Sequence, residues 1–176
     1  RVTAVLPVSV FSSDKYIVMA TIKGVMKKTS LDAYSNIRLG GIIGILLDEG
    51  DKLTSVRLTS GNQEVLLSTH NGMAIRFNEE EIRTIGRVGR GVKGIDLDED
   101  DFVVGMEIVR GNSTILTVTE RGYGKRTDLS EYRMQGRGGK GILTIKSTSR
   151  NGKAVSALQV SDEDEIMILT SAGKII

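Results

Sequence analysis

Short apolar and β-branched runs recur along the chain in a fixed order. A first series comprises residues 2–8, 53–59, 103–109 and 154–160, each starting about 50 residues after the one before. A second comprises residues 16–20, 64–68, 114–118 and 165–169, leading into Gly24, Gly72, Gly122 and Gly173. Residues 25–29, 73–77, 123–127 and 174–176 follow those glycines. The runs partly alternate between apolar and polar positions, as half-buried strands do. Asn71-Gly72 is a strong hairpin signal because both residues tolerate positive φ, and Lys23-Gly24, Arg121-Gly122 and Ala172-Gly173 hold the equivalent place. A third, glycine-rich series ends at Gly44, Gly94 and Gly141. No long run has a 3.6-residue period; residues 31–34, 79–82 and 129–132 have room for one helical turn each.

One repeat therefore reads as strand, loop, strand, tight turn, strand, short polar turn and Gly-rich loop leading to the next strand. Four-stranded units at this spacing predict an all-β, propeller-like stack of blades, since a lone blade cannot bury both faces. The repeats fall at residues 2–52, 53–102 and 103–153, with 154–176 an incomplete fourth, giving a partial domain of roughly three and a half blades. A β-sandwich of duplicated hairpins is the alternative, and the regular period argues against it. The pattern breaks off in mid-repeat at both ends, as expected of a piece of a longer protein, and no charged-then-apolar leader opens the sequence.

Composition narrows the chemistry. The 21 glycines against one proline fit many tight turns. Cysteine is absent, which excludes disulfides and thiolate metal sites and fits a reducing cytoplasm. No apolar stretch approaches the ~20 residues that cross a bilayer, so no membrane partner is expected. His70 is the only histidine, which leaves no His-based metal cluster and no Ser-His pair. Asp96, Asp98 and Asp100 have calcium-loop spacing, but Asp101 stands where that loop needs glycine. Glu163 and Glu165 fall at expected loop tips, where solvent keeps them ordinary acids. Aromatic residues make up only 4%, which disfavours single-stranded nucleic acid held by stacking. No catalytic site, metal site or cofactor is expected within this chain.

A net charge of +2 hides a periodic distribution. From Glu120 to Lys146 there are seven bases and three acids; from Ile95 to Glu107 there are six acids and no base. Lys23, Lys27, Lys28 and Arg38 precede Asp48, Glu49 and Asp51, and Arg76, Arg83, Arg87, Arg90 and Lys93 precede the acids from Asp96 to Asp101. In a repeating array, bases at one phase would align as a belt for a polyanion, and acids at another phase would form a separate face. Glycines let a backbone approach phosphate closely, and Arg or Lys beside them supplies charge. The glycine loops read as Arg38–Gly44, Val88–Gly94 and Gln135–Gly141, and the second and third place a base, two residues, a base, then glycine. Gly141 is followed by Ile142, so this is not the phosphate loop of nucleotidases.

The repeat, the hairpin ends Lys27-Lys28-Thr29, Arg76-Phe77 and Lys125-Arg126-Thr127, and the loop Gln135-Gly136-Arg137-Gly138-Gly139-Lys140-Gly141 resemble the C-terminal domain of DNA gyrase A. That family carries a box written Gln-Arg-Arg-Gly-Gly-Lys-Gly, from which the loop differs only by Gly136, making it a degenerate copy. The resemblance covers essentially the whole chain. It implies a β-pinwheel that wraps duplex DNA around a basic outer rim without reading sequence. It further implies a parent type II topoisomerase, an isomerase that drives ATP-dependent negative supercoiling. ATP and magnesium would sit elsewhere in the holoenzyme. Partners would be duplex DNA, the rest of gyrase A, and gyrase B in a heterotetramer, in the bacterial cytoplasm at the nucleoid. Two departures stand out: the true first-blade box is expected before Arg1, and loop 38–44 has lost its second base. The related C-terminal domain of topoisomerase IV, or a protein-interaction propeller that does not bind DNA, are the alternatives. The expected phosphate contacts are Lys27, Lys28, Arg76, Lys125 and Arg126 on hairpins, with Arg38, Arg87, Arg90, Lys93, Arg133, Arg137 and Lys140 on the loops.

Overall fold

The computed structural model of the chain describes residues 2–111 and 113–176. Its strands are β1 (Tyr16–Thr21), β2 (Val25–Ser30), β3 (Leu53–Thr59), β4 (Glu64–Thr69), β5 (Met73–Asn78), β6 (Val92–Lys93), β7 (Val103–Ile108), β8 (Thr114–Thr119), β9 (Gly124–Asp128), β10 (Ile142–Leu143) and β11 (Ala154–Val160). Short 3-10 turns at Leu31–Tyr34, Glu79–Glu81 and Leu129–Glu131 follow β2, β5 and β9. They sit where a single helical turn was expected. Among the described residues, no helix is long and apolar enough to cross a membrane.

The sheets have the orders β3-β1-β2-β6, β7-β4-β5-β10 and β11-β8-β9. Each sheet is therefore a hairpin flanked by strands from the next repeat: the next repeat's first strand at one edge and, in the first two sheets, its glycine loop at the other. The blades are offset from the repeats of the sequence. All the pairings between these strands are antiparallel.

Residues 2–8, expected as a strand, have no sheet neighbour. The pairing rule explains this: such a segment joins the hairpin of the repeat before it, and no hairpin precedes it in this sequence. Instead Leu6, Val8 and Phe11 lie over Ile17, Met19, Leu31 and Val56 on the outer face of the first sheet. Near the other end, Leu169 bridges Ile175 around the turn at Gly173.

The core lies between sheets. Val18, Ala20 and Met26 of the first meet Val65, Leu67, Ile75 and Phe77 of the second. The second sheet's other face, Leu66 and Ala74, meets Ile115, Leu129, Tyr132 and Ala157. Because β4 is covered on both sides, Val65, Leu66 and Leu67 are consecutive and all buried. β7 lies against β3 on one side and β11 on the other. Its Gly105 comes so close to β11 that an added Cβ would lie 3.3 Å from the Ala157 carbonyl oxygen. The first strands of successive repeats thus converge along one edge of the stack, and the glycine loops occupy the opposite edge.

Candidate nucleic-acid interface

Strand pairing fixes which loop positions are equivalent. β6 and β10 hold the same place beside β2 and β5. Gly94 N and Thr144 N donate to the turn carbonyls of Gly24 and Gly72, at 2.8 and 2.9 Å. The counterpart of Gln135–Gly141 is therefore residues 85–91, three positions before the loop read from sequence, and Gly141 corresponds to Gly91 rather than Gly94. In this register Arg87 matches Arg137, and Arg90 matches Lys140.

In the second and third loops the first base ties the loop to the one before. Arg87 Nη1 donates to the Ile43 carbonyl at 3.0 Å, and Arg137 Nη1 donates to Lys93, the same position one repeat on, also at 3.0 Å. Arg137 is further held by Glu81, through Nε to its carbonyl and backbone N to Oε2, both at 2.9 Å. Gly138 N donates to Gly94 at 2.7 Å, and Asp96 N donates to Gly139 at 2.9 Å. Three glycine loops from three repeats thus touch in sequence along one edge. Arg87 and Arg137 are half-buried in these contacts.

The second bases face solvent, paired with acids. Arg90 lies 3.5 Å from Asp48, and Lys140 lies 2.5 Å from Asp98, again one repeat apart. Lys93 pairs with Asp96. A hydrogen bond from Lys93, reinforced by its charge, holds the Asp96 carboxyl below the usual carboxylate range. The hydrogen bond to Asp98, then its charge, holds the Lys140 ammonium above its usual value. The acids therefore stand among the bases, and the expected separation into two faces does not occur at this edge.

The hairpin bases divide differently from the expectation. Lys27 is fully buried, donating to the carbonyls of Gly44, at 3.1 Å, and Arg87. Burial, and secondarily the Arg87 guanidinium, pushes its pKa down. Lys28 is also buried, 2.9 Å from the Glu79 carbonyl and over the Tyr16 ring. Arg76, at the equivalent register, donates to the carbonyls of Leu129 (2.9 Å) and Tyr132 (3.2 Å) and, through Nε, to Glu64 (2.7 Å). These three cations join neighbouring repeats, their side-chain nitrogens engaged by protein carbonyls and, for Arg76, a carboxylate. In the third hairpin, Lys125 and Arg126 are exposed. Lys125 reaches the Thr144 carbonyl at 3.2 Å, and Arg126 pairs with Asp162 at 2.6 Å. Arg38 and Arg133 are exposed on the loop edge.

Arg83, exposed and one repeat before Arg133, belongs with these although it was not among the expected contacts. Nor were Asp48 and Asp98; the 50-residue offset that matches bases also matches them. Asp101 caps the hairpin turn at Gly72, accepting from Thr69 Oγ1 at 2.6 Å and Asn71 N at 2.8 Å.

The sequence profile of the family described as "DNA gyrase C-terminal domain, beta-propeller" matches residues 15–60, 63–110, 113–161 and 142–171. The chain belongs to this family. Within it, the DNA gyrase A of Halalkalibacterium halodurans is 57% identical over 175 residues, which are 99% of this chain and 21% of that protein. The chain spans about a fifth of the length of the curated gyrase A proteins it matches. Among solved structures, the C-terminal domain of DNA topoisomerase IV superposes with a TM-score of 0.92 at 30% identity, over 97% of this chain and 54% of that one. The DNA gyrase A C-terminal domain does so with 0.87 at 29%, over 96% and 57%. The first three matched segments of the gyrase-family profile each open at or just before a hairpin, which is also where the sheets begin.

Proposed function

We propose that this gyrase-family chain binds duplex DNA along its glycine-loop edge through phosphate contacts, with little base readout. The observation that carries the reading is the unbroken run of three loops, joined by Arg87–Ile43 and Arg137–Lys93, which brings Arg38, Arg83, Arg90, Lys93, Arg133 and Lys140 to one edge. Glycines at that edge allow close backbone approach, and the bases replace counterions on the polyanion. Bending a duplex around such an edge costs roughly 1–6 kcal/mol over a 20–30 bp site, which distributed contacts offset. The wrapped segment then serves ATP-dependent negative supercoiling by a larger gyrase A protein together with gyrase B, in the bacterial cytoplasm, with ATP and magnesium held elsewhere in that assembly.

A salt titration of duplex binding is the test. The log–log slope should be steep, about −0.9 per phosphate neutralised, and similar on unrelated sequences. A flat dependence rules the reading out. A second reading, topoisomerase IV, is favoured by the 0.92 superposition, whereas 57% identity to a curated gyrase A favours gyrase. In the parent protein with its partner chain, negative supercoiling of relaxed plasmid is expected for gyrase, and relaxation alone for topoisomerase IV.

A further inference from the structure

In the second and third glycine loops the second base meets an acid of the preceding repeat, so the arrangement occurs twice. Arg90 and Asp48 are 3.5 Å apart; Lys140 and Asp98, each one repeat further on, are 2.5 Å apart. All four side chains are largely exposed, at 80%, 57%, 63% and 65%. Ion pairs in that setting contribute little to folding, because water screens them and two long side chains must be held still. By contrast, Arg57–Glu107 and Arg76–Glu64 are partly buried, and the latter base also holds a neighbouring repeat. Fold stability therefore does not account for the acids at Asp48 and Asp98. A carboxylate offers a cation the same anionic oxygens that a phosphate does, at a similar distance.

We infer that Asp48 and Asp98 occupy the seats that backbone phosphates take on Arg90 and Lys140, and so act as built-in competitors that lower affinity and ease release of a wrapped duplex. This rests on the DNA-binding reading above. Binding exchanges one anion for another at each loop, and the displaced carboxylate stays nearby to repel the phosphate. The belt then holds DNA through many weak, exchangeable contacts.

The test measures binding of a short linear duplex at fixed low salt by Asp98→Asn, Lys140→Ala and the double variant. Glu99→Gln, an exposed acid in the same run, controls for net charge. Asp98→Asn should tighten binding severalfold, more than Glu99→Gln does, and Lys140→Ala should weaken it. In the Lys140→Ala background the gain from Asp98→Asn should vanish, because the acid then has no seat to vacate. An equal gain in both backgrounds, or one no greater than that of Glu99→Gln, overturns the inference while leaving DNA binding intact. If the unaltered chain binds no duplex, the DNA reading falls and this one with it.

Discussion

Gly141 shows how tightly single residues constrain the loop edge. It has φ +79°, and an added Cβ would lie 2.2 Å from the Ala74 carbonyl oxygen. Gly41, at the equivalent loop position, has φ +78° but no atom within 4 Å of that point. Both alanine variants incur left-handed strain of about 1–3 kcal/mol, and only Gly141→Ala adds a backbone clash. Urea unfolding should therefore show Gly141→Ala to be clearly the more destabilised. Glu79 makes a second residue-scale case. Its side chain is fully buried, with Oε1 accepting from Thr59 at 2.9 Å and standing 4.0 Å from Lys28 Nζ, and Oε2 without a partner. Burial raises its pKa above the ordinary value, with Thr59 and then Lys28 opposing. The folded chain thus takes up this proton at a higher pH than the unfolded chain. The resulting stability is fully present below the unfolded value and is lost as pH rises through the folded one. As pH rises above the ordinary carboxylate range, the melting temperature of the chain should fall relative to that of Glu79→Gln.

At the scale of elements, the same strand position serves two purposes. Lys28, Arg76 and Arg126 share one register, yet the first two are held inside and the third is exposed. Arg76→Ala removes the charged donor of the Tyr132 carbonyl and the Glu64 carboxylate and leaves the Leu129 carbonyl only its bond from Tyr132 N, a loss of about 1.5–3 kcal/mol for a charged hydrogen bond. Lys140→Ala should leave unfolding unchanged and weaken duplex binding instead. Melting and binding measured on both variants separate the two roles. Residue type and spacing do not distinguish them, because whether a base faces solvent depends on whether a following repeat covers it. The hairpins were legible, since Gly24, Gly72 and Gly122 end alternating runs at the observed turns. The register of the second loop was not, because Arg87-Val88-Gly89-Arg90-Gly91 and Arg90-Gly91-Val92-Lys93-Gly94 both read base, two residues, base, glycine. Only β6 pairing with β2 decides between them.

At the scale of the whole molecule, the stacking of repeated four-stranded units was legible from the period. The composition of each sheet was not, because strand partners are exchanged between repeats that look self-contained in sequence. The excess of bases at one phase of the repeat was legible in the spacing. Two acids were misplaced: Asp96 and Asp98 belong to a run that looks like a separate face in one dimension, but they fold back beside Lys93 and Lys140. Borrowed strands also set the order in which the molecule can form. The hairpin β1-β2 is complete once Ser30 has left the ribosome, but its edges stay open until residues 53–59 and then 92–93 emerge. Every hairpin in such a chain waits on residues made after it, so a ribosome stalled between repeats would display a bare strand edge, open to pairing with a neighbouring nascent chain.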